Sequence, residues 1–173
     1  MLVIVRHAED DGSAEYAHDP PLSQRSIDKA ARVGSKLVSR YGDPDVVYTS
    51  PFRRARESAR AMFPGARIIV KPELSRYFTS GQKRHPMMAP STAENDPYVD
   101  ESWSQFNRRV LNCYRELKAE AEHHDRKIFV VTHVLFLLRV GKHLGLDMDK
   151  RLKYSAYLKV KGDKISLHGK KSS

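Results

Sequence analysis

The chain has a single cysteine, Cys113, so no internal disulfide can staple the fold, and its place in a helical pattern reads as packing. No apolar run approaches the roughly 20 residues that cross a bilayer. The opening MLVIV is too short for a secretory signal and lacks a cleavage site. A reducing, cytoplasmic setting is therefore expected. Acidic residues are in the minority, 21 against 31 Lys and Arg, which leaves a formal net charge of +10. Such an excess can serve nucleic acid, an anionic surface or an anionic small molecule. Here the basic residues are spread along the whole length, and only residues 159–171 are locally lysine-rich. A solvated basic surface is the favoured reading. Tyr154 and Tyr157, near Lys153 and Lys159, are the sole hint of base stacking, and they fit a strand with alternating faces equally well. No nucleic-acid partner is expected, and nothing specifies the oligomeric state.

Metal-ligand spacing is also missing. His123 and His124 are adjacent, and adjacent helical residues point in different directions. No metal or other cofactor is expected.

What is present is an alternation of short β-branched runs with longer helical patterns. Residues 2–5 form a continuous apolar run, the mark of a strand buried on both faces. Residues 24–41 carry Ile27, Ala30, Ala31, Gly34, Leu37 and Val38 at helical spacing, with Ser23 as N-cap and Gly42 and Pro44 as stop. Strands are expected at 45–49, 67–70 and 128–131. Helices are expected from Pro51 to about 63, after the cap Ser102, and over 135–144. Residues 155–160 and 164–167, joined across Gly162 and Asp163, read as a closing hairpin. Residues 78–101 hold no period and contain Pro86, Pro90 and Pro97, which suggests a functional lid or a local excursion. Together these predict one α/β domain over residues 1–173, a three-layer α/β/α fold with a mostly parallel central sheet.

Two of the expected strands end alike. The first runs into Arg6 and His7, the fourth into Thr132 and His133. If the strands are parallel neighbours, both histidines face one pocket in the crevice beyond the strands' carboxyl ends, where open α/β sheets bind ligands. A basic pocket with an imidazole nucleophile suggests phosphoryl transfer to histidine.

VRHAE, DPPLSQRSIDKA, YTSPFRRARESA and VVTHV, in that order, resemble the histidine phosphatase superfamily, the phosphoglycerate mutase-like proteins. The likeness runs from residue 2 to about 145 and includes ESWSQFNRRV. It implies a covalent phosphohistidine on His7, with Arg6, Arg54 and His133 holding the phosphoryl oxygens. Arginine forks suit those oxygens because they donate paired hydrogen bonds and keep their charge. In SPFRRA the family's arginine maps onto Arg54, which leaves Arg53 and Arg56 as solvent-facing residues. Thr132 and Ser50 read as capping residues, and Ser13 is a further expected substrate contact.

The chain departs from that family at three points. Ala8 and Val134 stand where Gly usually follows each histidine, and the R-H-A form is similar to small bacterial phosphohistidine phosphatases. The slot that usually holds the proton-donating glutamate holds Arg76, so Glu73 just upstream is the expected general acid, with Glu9 and Asp10 as further candidates. The expected function is metal-independent hydrolysis of a phosphomonoester or phosphohistidine, on a phosphorylated small molecule or phosphoprotein. The alternative is a phospholigand-binding or adaptor protein without turnover. Specificity is expected to lie in residues 9–19 and 78–101.

Overall fold

A computed structural model describes residues 1–10, 19–77, 101–148 and 152–170. In chain order the elements are β1 (Leu2–Arg6), α1 (Gln24–Tyr41), β2 (Val46–Thr49), α2 (Arg53–Met62) and β3 (Ile68–Val70). A 3-10 turn (Pro72–Leu74) follows, then α3 (Trp103–His123), β4 (Ile128–Thr132), α4 (Val134–His143), β5 (Leu152–Lys161) and β6 (Lys164–Lys170). The strands form one sheet in the order β3-β2-β4-β1-β5-β6. The first four are parallel to one another, and the closing hairpin adds two antiparallel strands at one side.

Alternation along the strands divides the core in two, because successive side chains of a strand point to opposite faces. Leu2, Ile4, Ile128 and Val130 pack with Phe106, Val110 and Leu117 of α3 and with Phe136, Leu137 and Val140 of α4. Val3, Val5, Phe129 and Val131 pack on the other side with Ala30 and Leu37 of α1 and with Ala55, Ala59 and Met62 of α2. The result is the three-layer α/β/α arrangement expected from the alternation of strands and helices. Ser102 caps α3 through a reciprocal capping box with Gln105, and Cys113 is buried among apolar neighbours, which pushes its thiol up to about 12.

Three boundaries differ from the sequence reading by two residues or more. α2 begins at Arg53 with Phe52 as N-cap, so Pro51 precedes the helix instead of opening it. Side chains satisfy the first N–H groups there: Phe52 N donates to Ser50 Oγ, and Arg53 N donates to the Asp19 carboxylate at 2.7 and 2.8 Å. β6 reaches Lys170, three residues further than its apolar pattern suggested. β5 starts earlier, at Leu152, and is interrupted by a bulge. Between the pairs Leu152–Lys170 and Tyr157–His168, five steps along β5 oppose two along β6, so three extra residues are accommodated on β5. Ser155, within the bulge, takes a positive φ of 60°.

α1 and α2 meet at Gly34, which is buried. A Cβ at that position would lie 1.9 Å from the Met62 carbonyl oxygen, so backbone and not a flexible side chain would have to move. Gly34→Ala is expected to destabilise the protein by about 1–3 kcal/mol, the usual cost of overpacking. Urea denaturation measures it, and an unchanged midpoint would mean the helices can slide apart freely.

Candidate active site

Parallel pairing of β1 with β4 sets Arg6 opposite Thr132, so the next residue of each strand is a histidine. His7 N donates to the Thr132 carbonyl at 2.9 Å, which carries the register one step past the strand. The two imidazoles meet edge to face with ring centroids 5.2 Å apart. Both are buried. His7 Nδ1 lies 2.7 Å from the Ala8 carbonyl oxygen. A carbonyl can only accept, so Nδ1 carries the proton and Nε2 keeps the lone pair of the neutral ring. His133 Nε2 lies 2.8 Å from Ser50 Oγ, so Ser50, read from sequence as a cap, also orients the second histidine. Ala8 is fixed by its N–H donating to Ser58 Oγ, which itself donates to the Arg54 carbonyl.

Three arginines converge on this pair. Arg54 of α2 is buried and carries the Asp10 and Asp19 carboxylates at 3.8 and 3.9 Å. Arg6 donates from Nη1 to the Leu152 carbonyl at 2.5 Å. Its Nε is buried and has no hydrogen-bond partner among the described residues. Arg76, noted from sequence only as the residue in the glutamate slot, lies within the field of both histidines, of Arg54, and of Asp10 and Asp19. Burial first, then the Arg54 charge, lowers Arg76 to about 10. Burial and the neighbouring Arg54, Arg6 and Arg76 lower His7 to about 3, despite the opposing Ala8 bond. His133 is likewise held well below its usual value by burial and the same cationic surroundings. Both imidazoles are therefore neutral over the physiological range, while the guanidiniums stay charged.

The β5 bulge completes one wall. Tyr154 lies beneath the Arg6 guanidinium, 3.8 Å from ring centroid to Cζ, with its ring 5.8 Å from that of His7. Ser155 N donates to the His7 carbonyl at 3.4 Å. The sequence pattern placed Tyr154 beside an ordinary strand, and only the three-residue bulge aims it here.

Glu73 is set differently. On the 3-10 turn its carboxylate pairs with Lys71 at 3.8 Å, and Lys71 also reaches Glu116 of α3. The dominant charges acting on His7 and His133 come instead from the arginines. Arg109 of α3 holds this turn by donating to the Glu73 and Ser75 carbonyls at 2.7 and 3.0 Å, while Glu101 grips the same guanidinium. Thr132 Oγ1 donates to the Leu74 carbonyl at 2.8 Å, so Thr132 also holds the turn. Asp10 stands in the pocket through Arg54, whereas Glu9 turns to Lys29 at 3.6 Å. Arg53 is exposed and pairs with Glu57, and Arg56 is half-buried, not solvent-facing as expected. Ser13 and most of the two expected specificity stretches lie outside the described residues. Asp19 was missed as a contributor: nothing in its local sequence signals that it caps α2 and pairs with Arg54 at once.

The histidines couple the site to stability. In the unfolded chain a histidine titrates near 6.5, but folded His7 stays neutral down to about 3. Between those values the unfolded state binds a proton that the folded state refuses, so stability is lost as pH falls from 6.5 toward 3. His7→Gln and His133→Gln are each expected to flatten the dependence between about pH 6.5 and 5, above the range where carboxylates titrate. Urea midpoints across that interval test it, and an undiminished slope in both variants would show that other groups carry the effect.

Comparison with known proteins accords with this architecture. Residues 2–156 match the family model of the histidine phosphatase superfamily (branch 1). An uncharacterized phosphoglycerate mutase family protein of Acanthamoeba polyphaga mimivirus is 27% identical over 127 residues, 68% of this chain. The aligned part spans 61% of that relative's length. Among solved structures, phosphoglycerate mutase from Bacillus anthracis superposes with a TM-score of 0.68 at 15% identity, covering 97% of this chain and 91% of its own. A phosphoserine phosphatase of Entamoeba histolytica, in complex with 3-phosphoglyceric acid, gives 0.66 at 16% identity over 99% and 96%. The alpha-ribazole phosphatase of Shigella flexneri gives 0.65 at 18% identity, again over 99% and 96%. At these identities the solved structures share the fold, while the family match extends over nine-tenths of the sequence: the chain belongs to the histidine phosphatase superfamily.

Proposed function

We propose that the protein is a metal-independent phosphatase acting on a phosphomonoester or phosphohistidine through a covalent intermediate on His7. The observation that carries this reading is the neutral His7 ring, its Nδ1 proton committed to the Ala8 carbonyl and its Nε2 lone pair left for attack, set among arginines. Nε2 forms a bond to phosphorus as the ester or phosphoramidate bond breaks, and the leaving group departs with the bonding electrons and takes up a proton. Water then attacks phosphorus, the N–P bond breaks, and orthophosphate leaves. Arg6, with an unpartnered buried Nε–H among the described residues, Arg54 and His133 hold the equatorial oxygens, where charge concentrates in the transition state. The guanidiniums supply the positive charge that a metal ion supplies in other phosphatases. That similar folds include a phosphoserine phosphatase and an alpha-ribazole phosphatase supports a phosphorylated small molecule as substrate, and the family's phosphohistidine branch keeps a phosphoprotein in view. No helix among the described residues is long and apolar enough to cross a membrane, and the site is read as serving cytoplasmic substrates.

The leaving group decides how much acid catalysis is needed. Glu73 was expected to give the proton, yet it pairs with Lys71, which also reaches Glu116 on α3; Asp10 pairs at the same 3.8 Å with Arg54, a residue of the pocket. With Arg76 in place of an acid, leaving groups that need no proton from the enzyme are favoured: an imidazole already protonated on its other nitrogen, or a stabilised aryl oxide. Arg76 also motivates a second reading, a phospholigand-binding protein without turnover, which would bind orthophosphate and show no hydrolysis above a His7 variant.

Hydrolysis of p-nitrophenyl phosphate in the presence of a chelator is expected to fall by roughly 10³-fold or more in His7→Ala, and by about 10²-fold in Arg54→Ala. Quenching the wild type in alkaline detergent should trap an alkali-stable, acid-labile phosphoryl group that His7→Ala lacks. Activity retained in His7→Ala would remove the covalent route. A comparison of phenyl with p-nitrophenyl phosphate tests the leaving-group argument. Asp10→Asn is expected to slow the phenyl ester more than Glu73→Gln does, and the reverse order would return the proton to Glu73.

A further inference from the structure

A cleft of about 390 Å³ opens beside the histidine pocket, between α1 and the bulged start of β5. Lys29, Arg32 and Lys36 line it from α1 and Lys153 from β5, and it adjoins the pocket at Ala8 and Tyr154. Ala8 follows His7 directly, and the Tyr154 ring touches the pocket through Arg6 and His7. Tyr154 is thus a wall common to both spaces. The spacing 29, 32, 36 lays the three helical cations on one stripe, and the exposed Arg25 and Arg40 continue it at either end. Among the residues lining the cleft the one carboxylate is Glu9, 3.6 Å from Lys29. Four cations against one carboxylate leave a formal +3.

Like charges stacked along one helix face repel one another and weaken the helix. Gathered around a concavity, they instead focus a positive field toward an anion. The field here adjoins a pocket that itself holds three arginines, and the cleft has room for a phosphoryl group and a short linker. We propose that the cleft is a second anion subsite, which receives a further phosphoryl group of the substrate whose first phosphoryl group lies at His7. Preferred substrates then carry two phosphoryl groups on a short spacer. This rests on the reading of the His7 pocket as a phosphoryl site and adds the substrate class to it.

Calorimetric titration of the full-length His7→Ala protein, in which turnover is blocked, tests the proposal with α,ω-alkanediol bisphosphates of two to eight methylenes. Matched n-alkyl monophosphates are the reference. One spacer length is expected to bind with 1:1 stoichiometry and about tenfold more tightly than its monophosphate, because the second contact becomes intramolecular. Adding the exposed substitutions Arg32→Gln, Lys36→Gln and Lys153→Gln should bring bisphosphate and monophosphate within about twofold of each other. Lys153→Gln alone, outside the helix, should reduce the preference part-way and guards against loss of α1. Equal affinities at every spacer length, or a preference that survives the triple variant, would overturn the subsite. Two monophosphates bound per chain would instead reveal an independent anion site and overturn the link to the substrate. Binding of neither series would remove the phosphoryl reading of the His7 pocket itself, which separates the two failures.

Discussion

Everything at the site depends on one register, the parallel pairing of β1 with β4 that sets Arg6 opposite Thr132. Extended backbone alternates its side chains, so Val3 and Val5 face α1 and α2 together with Phe129 and Val131. His7 and His133 fall two residues further along those same rows, and that parity sends both toward the helix that supplies Arg54. A slip of one residue in this pair would put one imidazole on the opposite face of the sheet. The four buried apolar pairs behind the site, Leu2–Ile128 to Val5–Val131, resist such a slip, because each would exchange a core position for the wrong layer.

The register creates an electrostatic problem that the rest of the fold manages. Arg6, Arg54 and Arg76 crowd two buried imidazoles, and removing so much positive charge from water is costly. Two features reduce the cost. The histidines stay neutral, since burial and the arginines both oppose a further proton. Asp10 and Asp19 lie against Arg54 from the segment after β1. Asp19 also receives the Arg53 N–H at the start of α2, so the same carboxylate anchors the helix and neutralises its second residue. The pocket remains cationic on balance, as a site for a dianionic phosphoryl group requires.

Peripheral elements set the walls. Arg109 reaches from α3 into the 3-10 turn and, with Thr132, holds the backbone that leads to Arg76. The closing hairpin, which in a sheet of this kind could be a mere edge, bulges by three residues and turns Tyr154 under Arg6. Bulges re-aim side chains near functional sites at the expense of local ladder hydrogen bonds, and the positive φ at Ser155 is the backbone strain this one carries.

From the sequence alone came the element order, the three layers and the two histidines. Those are local properties: apolar period, capping chemistry and the residues at strand ends are written in contiguous stretches, and Arg54 followed from a contiguous motif. The tertiary structure alone decided what depends on distant segments meeting. Arg76 joins the pocket because Arg109 and Thr132 hold its turn. Asp19 pairs with a helix 34 residues away. Tyr154 enters through a register shift that alternation cannot reveal. Glu73 shares the turn but directs its carboxylate to Lys71, since a 3-10 turn separates the directions of neighbouring side chains. Basic residues that look scattered in the chain become one face when α1 winds 25, 29, 32, 36 and 40 into a stripe against β5, because helical geometry brings together residues that the linear order keeps apart.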